Sequence, residues 1–385
     1  MGSLFPVVLA SLSLSACAAM AGHADPELLD TGTRVMPTLY LTERFFIRPE
    51  TPRGDTVALF TDTGDNGRLF QASIETLHWH VDVVATYPGK VIVFRPTAVP
   101  ATQASRAQGH VVGDLRIHPF TSKVFGNERQ LRVLLPKGYD LPANRNRRYP
   151  VLYLNDGQNL FDSTTAVLNP LEWRVDETVA DLMRHGRIPP MIVVGIDNAG
   201  RQGRFREYFP WVDRYLQPPD PDPQGMKYPA FLVDEVLPFI NARYRTLADA
   251  EHTGLGGSSA GGLAALRAVI DRPGVFGRLL IESPSIYLDD YHILRDATAL
   301  RQWPTRIFLG VGTNESNRST CPPDVSAPGR LADDVERLRE LIIRAGVAES
   351  NVRKVVVRCA RHDERAWGDR FGGAAEFLFG NARKP

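Results

Sequence analysis

The pattern of hydrophobic and polar positions changes once along the chain, near residue 110. Beyond that point, continuous apolar runs recur and alternate with stretches in which apolar residues have helical spacing. Such runs are typical of strands buried on both faces, as in a mostly parallel sheet covered by helices. The pattern therefore predicts an α/β domain over residues 110–385. The predicted strands are Val151–Leu154, Met191–Ile196, Leu279–Ile281, Ile307–Val311 and Val355–Val357, and the clearest predicted helices are Glu172–His185, Asp234–Tyr244, Ala332–Ala345 and Ala366–Phe379.

Residues 25–97 have a different pattern, in which short segments rich in β-branched and aromatic residues are separated by turn residues. This predicts a small β-rich, sandwich-like domain, joined to the α/β domain by a polar linker at residues 98–109. His78 and His80 share one strand face there. No third ligand has a suitable spacing, so we interpret them as a solvated face rather than a metal site. The predicted strands are Val57–Phe60, Trp79–Ala85 and Lys90–Phe94.

The first 21 residues form a candidate export signal. Residues 4–16 are apolar but too short to span a bilayer comfortably, which is typical of a secretory signal. The sequence Leu14-Ser15-Ala16-Cys17 resembles a bacterial lipobox, which implies cleavage before Cys17 and lipidation of its sulfur. No Lys or Arg precedes the apolar run, however, and ordinary cleavage after Ala21 would remove Cys17. We expect an exported protein, periplasmic or lipid-anchored to the bacterial envelope.

Composition and charge narrow the possible functions. The 385 residues are 43% hydrophobic and 23% charged, and the net charge is +1. These values are typical of a globular protein with room for a large core. Neither the net charge nor any run of basic and aromatic residues supports nucleic-acid binding. No cofactor is predicted.

Residues 252–269, HTGLGGSSAGGLAALRAV, combine two serines with five glycines. Gly257 to Gly261 form a G-x-S-x-G pentapeptide, the pattern of the nucleophile elbow of α/β-hydrolases, with Ser259 at a tight turn between strand and helix. The apolar residues after Ser259 have helical spacing, as this motif requires. The residues before it have a composition that only weakly predicts the strand that the motif also requires. The alternative is that the glycines let a helix pack closely on a sheet and the serines cap it.

A nucleophilic serine needs a base and an acid, which in this fold follow it in the order acid, histidine. Only His292 and His362 come after Ser259, and His292 precedes the strand that should carry the acid. His362 directly follows the last predicted strand. Glu315 lies just beyond the strand before it, although the alternative is a simple turn carboxylate. In this arrangement His362 accepts the Ser259 proton and Glu315 fixes the tautomer of the imidazole.

These residues belong to a longer resemblance. The segments RYPVLYLNDGQNLFD, EWRVDETVADLM, IVVGIDN with RFREY, GGSSAGGLAAL, GTNES and HDERAW resemble, in this order, the esterase D-like putative esterase family of α/β-hydrolases. That family includes enterochelin (siderophore) esterases, feruloyl esterases and mycolyltransferases. The resemblance implies an α/β-hydrolase fold over about residues 112–380 and a triad of Ser259, Glu315 and His362. It also implies an oxyanion hole made by the backbone N–H groups of Gln158 and Ala260.

Four further residues are candidates for substrate binding: Trp173, Arg204, Glu207 and Tyr208. The alternatives are a core position for Trp173 and a local ion-paired turn for the other three. The β-rich domain occupies the place where some siderophore esterases of the family carry an immunoglobulin-like module.

Cys321 and Cys359 remain in the chain after either cleavage of the signal. An even pair of cysteines in an oxidising compartment favours a disulfide. Cys321 follows Glu315 by a short loop and Cys359 shortly precedes His362, so the two cysteines are neighbours if acid and base meet. Two unpaired buried thiols are the alternative.

The sequence thus predicts an exported serine esterase that hydrolyses a carboxylic ester through an acyl-enzyme. The expected substrate is a small-molecule or glycan ester, such as a siderophore lactone or a hydroxycinnamoyl or acetyl sugar ester. An acyltransferase with the same triad is one alternative. A non-catalytic surface binding protein is another, but a scaffold has no need of a serine, an acid and a histidine in the required loops.

Overall fold

The structure is a computed structural model that describes strands between residues 39 and 98 and residues 111–166, 171–213, 220–317 and 330–380. The signal segment with Cys17, His78, linker residues 99–109 and Cys321 lie outside the described residues. The chain divides into two compact units, residues 1–108 and 109–385. No helix in the described residues is long and apolar enough to cross a membrane.

The described part of the N-terminal unit consists of antiparallel strands in two sheets. One sheet has the order β1-β2-β3-β6 and the other the order β4-β5-β7. The three strands predicted in this region correspond to β3, β5 and β6. The strands are β1 (Leu39–Thr42), β2 (Phe45–Glu50), β3 (Thr56–Thr61), β4 (Phe70–Thr76), β5 (Trp79–Ala85), β6 (Val91–Phe94) and β7 (Thr97–Ala98).

The second unit is built on an eight-stranded sheet with the order β15-β14-β13-β12-β10-β11-β9-β8. Six strands, from β15 to β11 in this order, are parallel, and β9 pairs antiparallel with both β11 and β8. This confirms the predicted α/β fold with a mostly parallel sheet. The strands are β8 (Asp114–Thr121), β9 (Glu128–Leu135), β10 (Val151–Asn155), β11 (Ile192–Ile196), β12 (Thr253–Ser258), β13 (Arg278–Glu282), β14 (Arg306–Asn314) and β15 (Val352–Arg361).

Helices cover both faces of this sheet and enclose two separate cores. One core joins α1 and α7 to the sheet, and the larger core joins α3, α4 and α6 to the opposite face. A short turn (Tyr228–Ala230) and a π-helical segment (Phe231–Val236) lead into α3. The helices are α1 (Val175–Arg184), α2 (Gly200–Tyr208), α3 (Leu237–Arg243), α4 (Ala260–Asp271), α5 (Leu288–Ala297), α6 (Arg330–Arg344) and α7 (Glu364–Phe379).

The register of the parallel strands brings their carboxyl ends to one edge. Ser258 pairs with Glu282, and Glu282 pairs with Gly310. On the next strand, Asn314 pairs with Arg361. Residues that follow β12, β13, β14 and β15 therefore lie side by side along this edge, where ligands bind in open α/β sheets.

Asp176 in the first turn of α1 makes the stability of the fold depend on pH. Its carboxyl is fully buried. One oxygen accepts the Val112 N–H at 2.6 Å, whereas Oδ1 has no partner within the described residues. Burial raises the pKa of Asp176 to about 7. Below the pKa that it has in the unfolded chain, the carboxyl is neutral in both the folded and the unfolded protein, and its contribution to stability is fully present. This contribution is lost as the pH rises through the pKa of the folded state, because the unfolded chain ionises first.

We expect Asp176→Asn to raise the melting temperature by several degrees at about pH 8 and not at about pH 4. The amide is neutral at every pH and keeps an oxygen for the Val112 N–H. Thermal unfolding of both proteins across this pH range makes the measurement. Parallel pH profiles for the two proteins would contradict the interpretation.

Candidate active site

Ser259 lies at a strained turn between β12 and α4. Its backbone has φ 56° and ψ −125°, a conformation that L side chains rarely adopt. Such a residue costs about 1–3 kcal/mol and persists only where the surrounding structure enforces it. Here the Ser259 N–H donates to the Glu282 carbonyl at 2.9 Å, and the Ser259 carbonyl accepts the N–H of Leu263 in α4. The side chain is only half-buried, so Ser259 has the strand–turn–helix setting that the pentapeptide predicts.

The two outer glycines of the pentapeptide are needed for steric reasons. A Cβ atom at Gly257 would lie 2.7 Å from the Gly261 carbonyl oxygen. A Cβ atom at Gly261 would lie 2.9 Å from Asp156 Oδ2. Real Cβ atoms do not approach other heavy atoms this closely. A larger residue at Gly257 would meet backbone, and one at Gly261 would push the Asp156 carboxylate, which Arg204 holds in place.

Glu315 and His362 meet at the same edge of the sheet. The His362 Nδ1 atom lies 2.7 Å from Glu315 Oε2. The side chain of His362 is 27% exposed and that of Glu315 is 10% exposed, so the imidazole can be reached from solvent while the acid is shielded. A carboxylate in its ionised form can only accept hydrogen bonds, so Nδ1 carries a proton, and in the neutral imidazole Nε2 is then the basic nitrogen.

Further contacts hold the two partners in place. Glu315 Oε1 accepts hydrogen bonds from the Ser283 hydroxyl at 2.7 Å and from the Gly312 N–H. The Asn317 side chain accepts the His362 N–H at 2.9 Å and donates to the His362 carbonyl at 3.4 Å. Both carboxylate oxygens and the backbone of the histidine are thus fixed. Sequence reasoning missed Ser283 and Asn317, although Ser283 directly follows β13 and Asn317 lies two residues after the predicted acid.

The loop after β10 contains the predicted oxyanion donor Gln158. Gly157–Asn159 form one 3₁₀ turn, and Asp156 before it is left-handed with φ 60°. The N–H groups of Gln158 and of Ala260, the first residue of α4, lie in first turns, where no intrahelical acceptor exists. Backbone N–H groups in this position are suited to bind an anion.

Asp156 anchors this loop, and the predicted substrate residues Arg204 and Tyr208 are part of the anchor. Arg204 forms a bidentate pair with Asp156 at 2.8 and 2.7 Å, and the Tyr208 hydroxyl accepts the Asp156 N–H at 3.3 Å. The Asn198 side chain donates to the same carboxylate at 2.7 Å. Arg204 and Tyr208 are both buried.

The other two predicted substrate residues are also buried. Glu207 accepts hydrogen bonds from Arg129 at 3.0 Å and from Asn127 at 2.5 Å. Trp173 packs against Trp367, with ring centroids 6.0 Å apart. These contacts give all four side chains partners within the protein, and Trp173 also lines a cavity, so substrate contact by any of them stays a prediction. For Glu207 and Arg204 the partners are distant in sequence, so the alternative of a local ion-paired turn is wrong.

Glu282 and Arg370 form a buried ion pair close enough to the proposed acid, Glu315, for the two glutamates to interact electrostatically. The guanidinium donates to Glu282 Oε2 at 2.9 and 2.6 Å, and Glu282 is fully buried. Burial raises the pKa of Glu282 to about 7, against the opposing effect of Arg370. A Cβ atom at Gly310 would lie 2.3 Å from both carboxylate oxygens, so glycine is required beside this pair.

Cys359 is disulfide-bonded in the structure. Its backbone is left-handed with φ 63°, and its N–H donates to the Thr313 hydroxyl at 2.8 Å. Both other cysteines of the chain, Cys17 and Cys321, lie outside the described residues. Pairing with Cys321 therefore stays a prediction.

His292, which the order of residues excluded as the base, has other partners. Its ring stacks on Trp211 with centroids 4.2 Å apart, and Nδ1 lies 2.9 Å from Asp289. His292 is thus engaged by Asp289 and Trp211, whereas Glu315 contacts His362.

Most of the second unit matches the sequence model of a known protein family. The sequence model of the family described as "Esterase: Putative esterase" matches residues 122–378, more than half of the chain. The chain belongs to the putative esterase family. This esterase is therefore a carboxylic ester hydrolase, which confirms the reaction class that the sequence predicted.

Several curated relatives of this esterase have named activities. The ferri-bacillibactin esterase BesA of Bacillus subtilis is 25% identical over 223 residues, which cover 53% of this chain and 70% of that protein. The iron(III) enterobactin esterase of Dickeya dadantii is 27% identical over 244 residues, covering 57% of this chain and 50% of that protein. An endo-1,4-beta-xylanase/feruloyl esterase of Xylanibacter ruminicola is 26% identical over 208 residues, 53% of this chain but only 25% of that protein.

Solved structures agree with the fold of the esterase. The siderophore hydrolase EstA from Aspergillus nidulans superposes with a TM-score of 0.55 at 21% identity, covering 73% of this chain and 97% of that one. An IroE-like serine hydrolase from Shewanella oneidensis superposes with a TM-score of 0.52 at 20% identity, covering 69% of this chain and 80% of that one. At this identity the likeness establishes the fold alone.

Proposed function

We propose that this esterase is an exported serine hydrolase that forms an acyl-enzyme on Ser259, with His362 as general base and Glu315 as the acid. The observation that carries the proposal is the 2.7 Å contact between His362 Nδ1 and Glu315 Oε2. This contact leaves Nε2 of an accessible imidazole without a proton, as a general base requires. The strained conformation of Ser259 supports its role as the nucleophile.

In the acylation step, Ser259 Oγ attacks the ester carbonyl carbon and its proton passes to His362 Nε2. The carbonyl π-bond electrons move to oxygen, and the backbone N–H groups of Gln158 and Ala260 bind the resulting oxyanion. Glu315 stabilises the imidazolium. Collapse of the tetrahedral species breaks the bond to the alcohol oxygen, which leaves with the proton held by His362.

In the second step, water takes the place of the alcohol. His362 removes a proton from water, the hydroxide adds to the acyl carbon, and a second oxyanion forms in the same hole. Its collapse releases the carboxylic acid and returns the proton to Ser259 Oγ.

For the substrate we propose an ester of a siderophore or of a hydroxycinnamoyl or acetyl sugar. The printed names of the relatives, two iron-siderophore esterases and one xylanase/feruloyl esterase, support this class. The apolar N-terminal segment supports export, and the resemblance of residues 14–17 to a lipobox supports lipidation of Cys17, with ordinary signal cleavage as the alternative.

A panel of esters tests this proposal. Purified protein is incubated with a catecholate siderophore lactone, a methyl hydroxycinnamate and an acetylated sugar, with and without added alcohol acceptor, and the products are identified by mass spectrometry. We expect a free carboxylic acid from at least one ester, and none from a His362→Ala protein prepared in the same way. A transferred ester as the main product would instead support an acyltransferase, and no turnover of any ester would contradict the proposal.

A further inference from the structure

Ser283 occupies a position from which it touches the proposed acid directly. It is the first residue after β13, with φ 43° and a fully buried side chain. Its N–H donates to the Gly310 carbonyl at 2.8 Å, so its backbone is tied to β14. From there the hydroxyl reaches Glu315 Oε1 at 2.7 Å. A left-handed, buried serine is unfavourable unless its conformation is needed.

The direction of the hydrogen bonds around Ser283 follows from the partners. The Trp367 indole Nε1 lies 3.1 Å from the Ser283 oxygen and can only donate. The serine must accept this bond, and it must donate its single proton to the ionised Glu315. Trp367 therefore donates to Ser283 and Ser283 donates to Glu315 Oε1, while His362 Nδ1 donates to the other oxygen of the same carboxylate. The Trp367 ring also packs edge-on against His362, with ring centroids 5.0 Å apart. Trp367 therefore contacts both Ser283 and the imidazole.

We propose that Ser283 is a positioning residue for the triad, with Trp367 orienting its hydroxyl. The Gly312 N–H also donates to Oε1, but with this donor alone the Glu315 carboxylate could rotate and carry Oε2 out of line with His362 Nδ1. The Ser283 hydroxyl is the second donor, and because the carboxylate is planar, two donors on Oε1 also fix Oε2. Ser283 acts through Glu315 and does not touch the substrate, since its side chain is fully buried. The inference rests on the proposed triad.

The chain offers a matched control for loss of such a bond. Ser122 is also buried, and its hydroxyl donates to Glu235 Oε2 at 2.7 Å while accepting the Phe125 N–H at 3.1 Å. Glu235 also accepts backbone N–H groups, as Glu315 does. Ser122→Ala therefore removes the same kind of hydrogen bond at the end of β8, the edge strand that lies four positions from β12 in the sheet.

The test compares Ser283→Ala, Trp367→Phe and Ser122→Ala with the wild type. We expect Ser283→Ala to lower kcat by about 10–100-fold with KM unchanged, since a hydrogen bond to a charged group is lost. Trp367→Phe keeps the ring but removes the N–H, and should lower kcat by several-fold. Ser122→Ala should lower the melting temperature about as much as Ser283→Ala and leave kcat unchanged.

A spectroscopic readout separates positioning from general stability. The His362 Nδ1 proton shared with Glu315 should give a low-field proton resonance that moves in Ser283→Ala and in Trp367→Phe and stays in place in Ser122→Ala. Equal kcat in Ser283→Ala and wild type, or an unmoved resonance, would overturn the inference. If Ser283→Ala does not fold, Trp367→Phe decides by the same criteria. An active Ser259→Ala protein would instead refute the triad itself, so the two failures are distinguishable.

Discussion

Replacement of Ser259 by alanine is expected to lower kcat by about 10⁵–10⁶-fold with KM little changed. The methyl group cannot attack the ester, while the fold and the oxyanion donors remain. The substitution also suits the structure, because alanine is no larger than serine and the crowded contacts around the turn come from Gly257 and Gly261. Steady-state kinetics on the best ester of the panel makes the measurement.

Ser258→Ala is the matched control for this substitution. Ser258 is the neighbouring serine, but it is buried as the last residue of β12. We expect it to keep kcat within about tenfold of the wild type. The opposite result, an inactive Ser258→Ala protein beside an active Ser259→Ala protein, would move the nucleophile to Ser258.

Glu315→Gln is expected to lower kcat by about 10⁴-fold, as loss of the triad acid does when the histidine adopts the wrong tautomer. The Ser283 hydroxyl and the Gly312 N–H both donate to Oε1, so they hold the amide oxygen of a glutamine in that place. The amide NH₂ then faces His362 Nδ1 and donates to it. The ring proton moves to Nε2, and the base is lost.

Glu235→Gln provides the comparison for Glu315→Gln, since Glu235 accepts similar hydrogen bonds elsewhere. The kcat of the Glu235→Gln protein should equal that of the wild type. Activity of Glu315→Gln within about threefold of the wild type would mean a Ser–His dyad or a different acid.

The fold was predictable because its strands are continuous apolar runs. β10, β13 and β14 contain predicted strands, β11 covers another except for Met191, and every residue of β10 and β11 is buried. The predicted strand Val355–Val357 lies in β15, but its expected burial on both faces is wrong, because β15 is an edge strand and Val356 and Val357 are exposed. The strand before the nucleophile was weak on composition for a steric reason. A Cβ at Gly254 would lie 2.8 Å from the Phe379 ring, and one at Gly256 2.8 Å from Leu280, so tight packing excludes the β-branched residues that mark strands.

The candidate site was predictable as far as chain order and strand ends determine it. The pairing of Glu315 with His362 follows from their positions after two neighbouring strands. Long-range partners could not be predicted in this way. Nothing near Arg204 in sequence indicates that it binds Asp156, 48 residues away, and Ser283 meets Trp367 across 84 residues.

Labelling with a fluorophosphonate tests the central claim most directly, because this probe reacts far faster with a serine activated as a nucleophile than with an ordinary serine. Mass spectrometry of the digested protein should find one adduct, on Ser259. The adduct should be absent after unfolding and from Ser259→Ala, and strongly reduced in His362→Ala. An adduct on Ser258, or no adduct on folded and active enzyme, would contradict the assignment of Ser259 as the nucleophile.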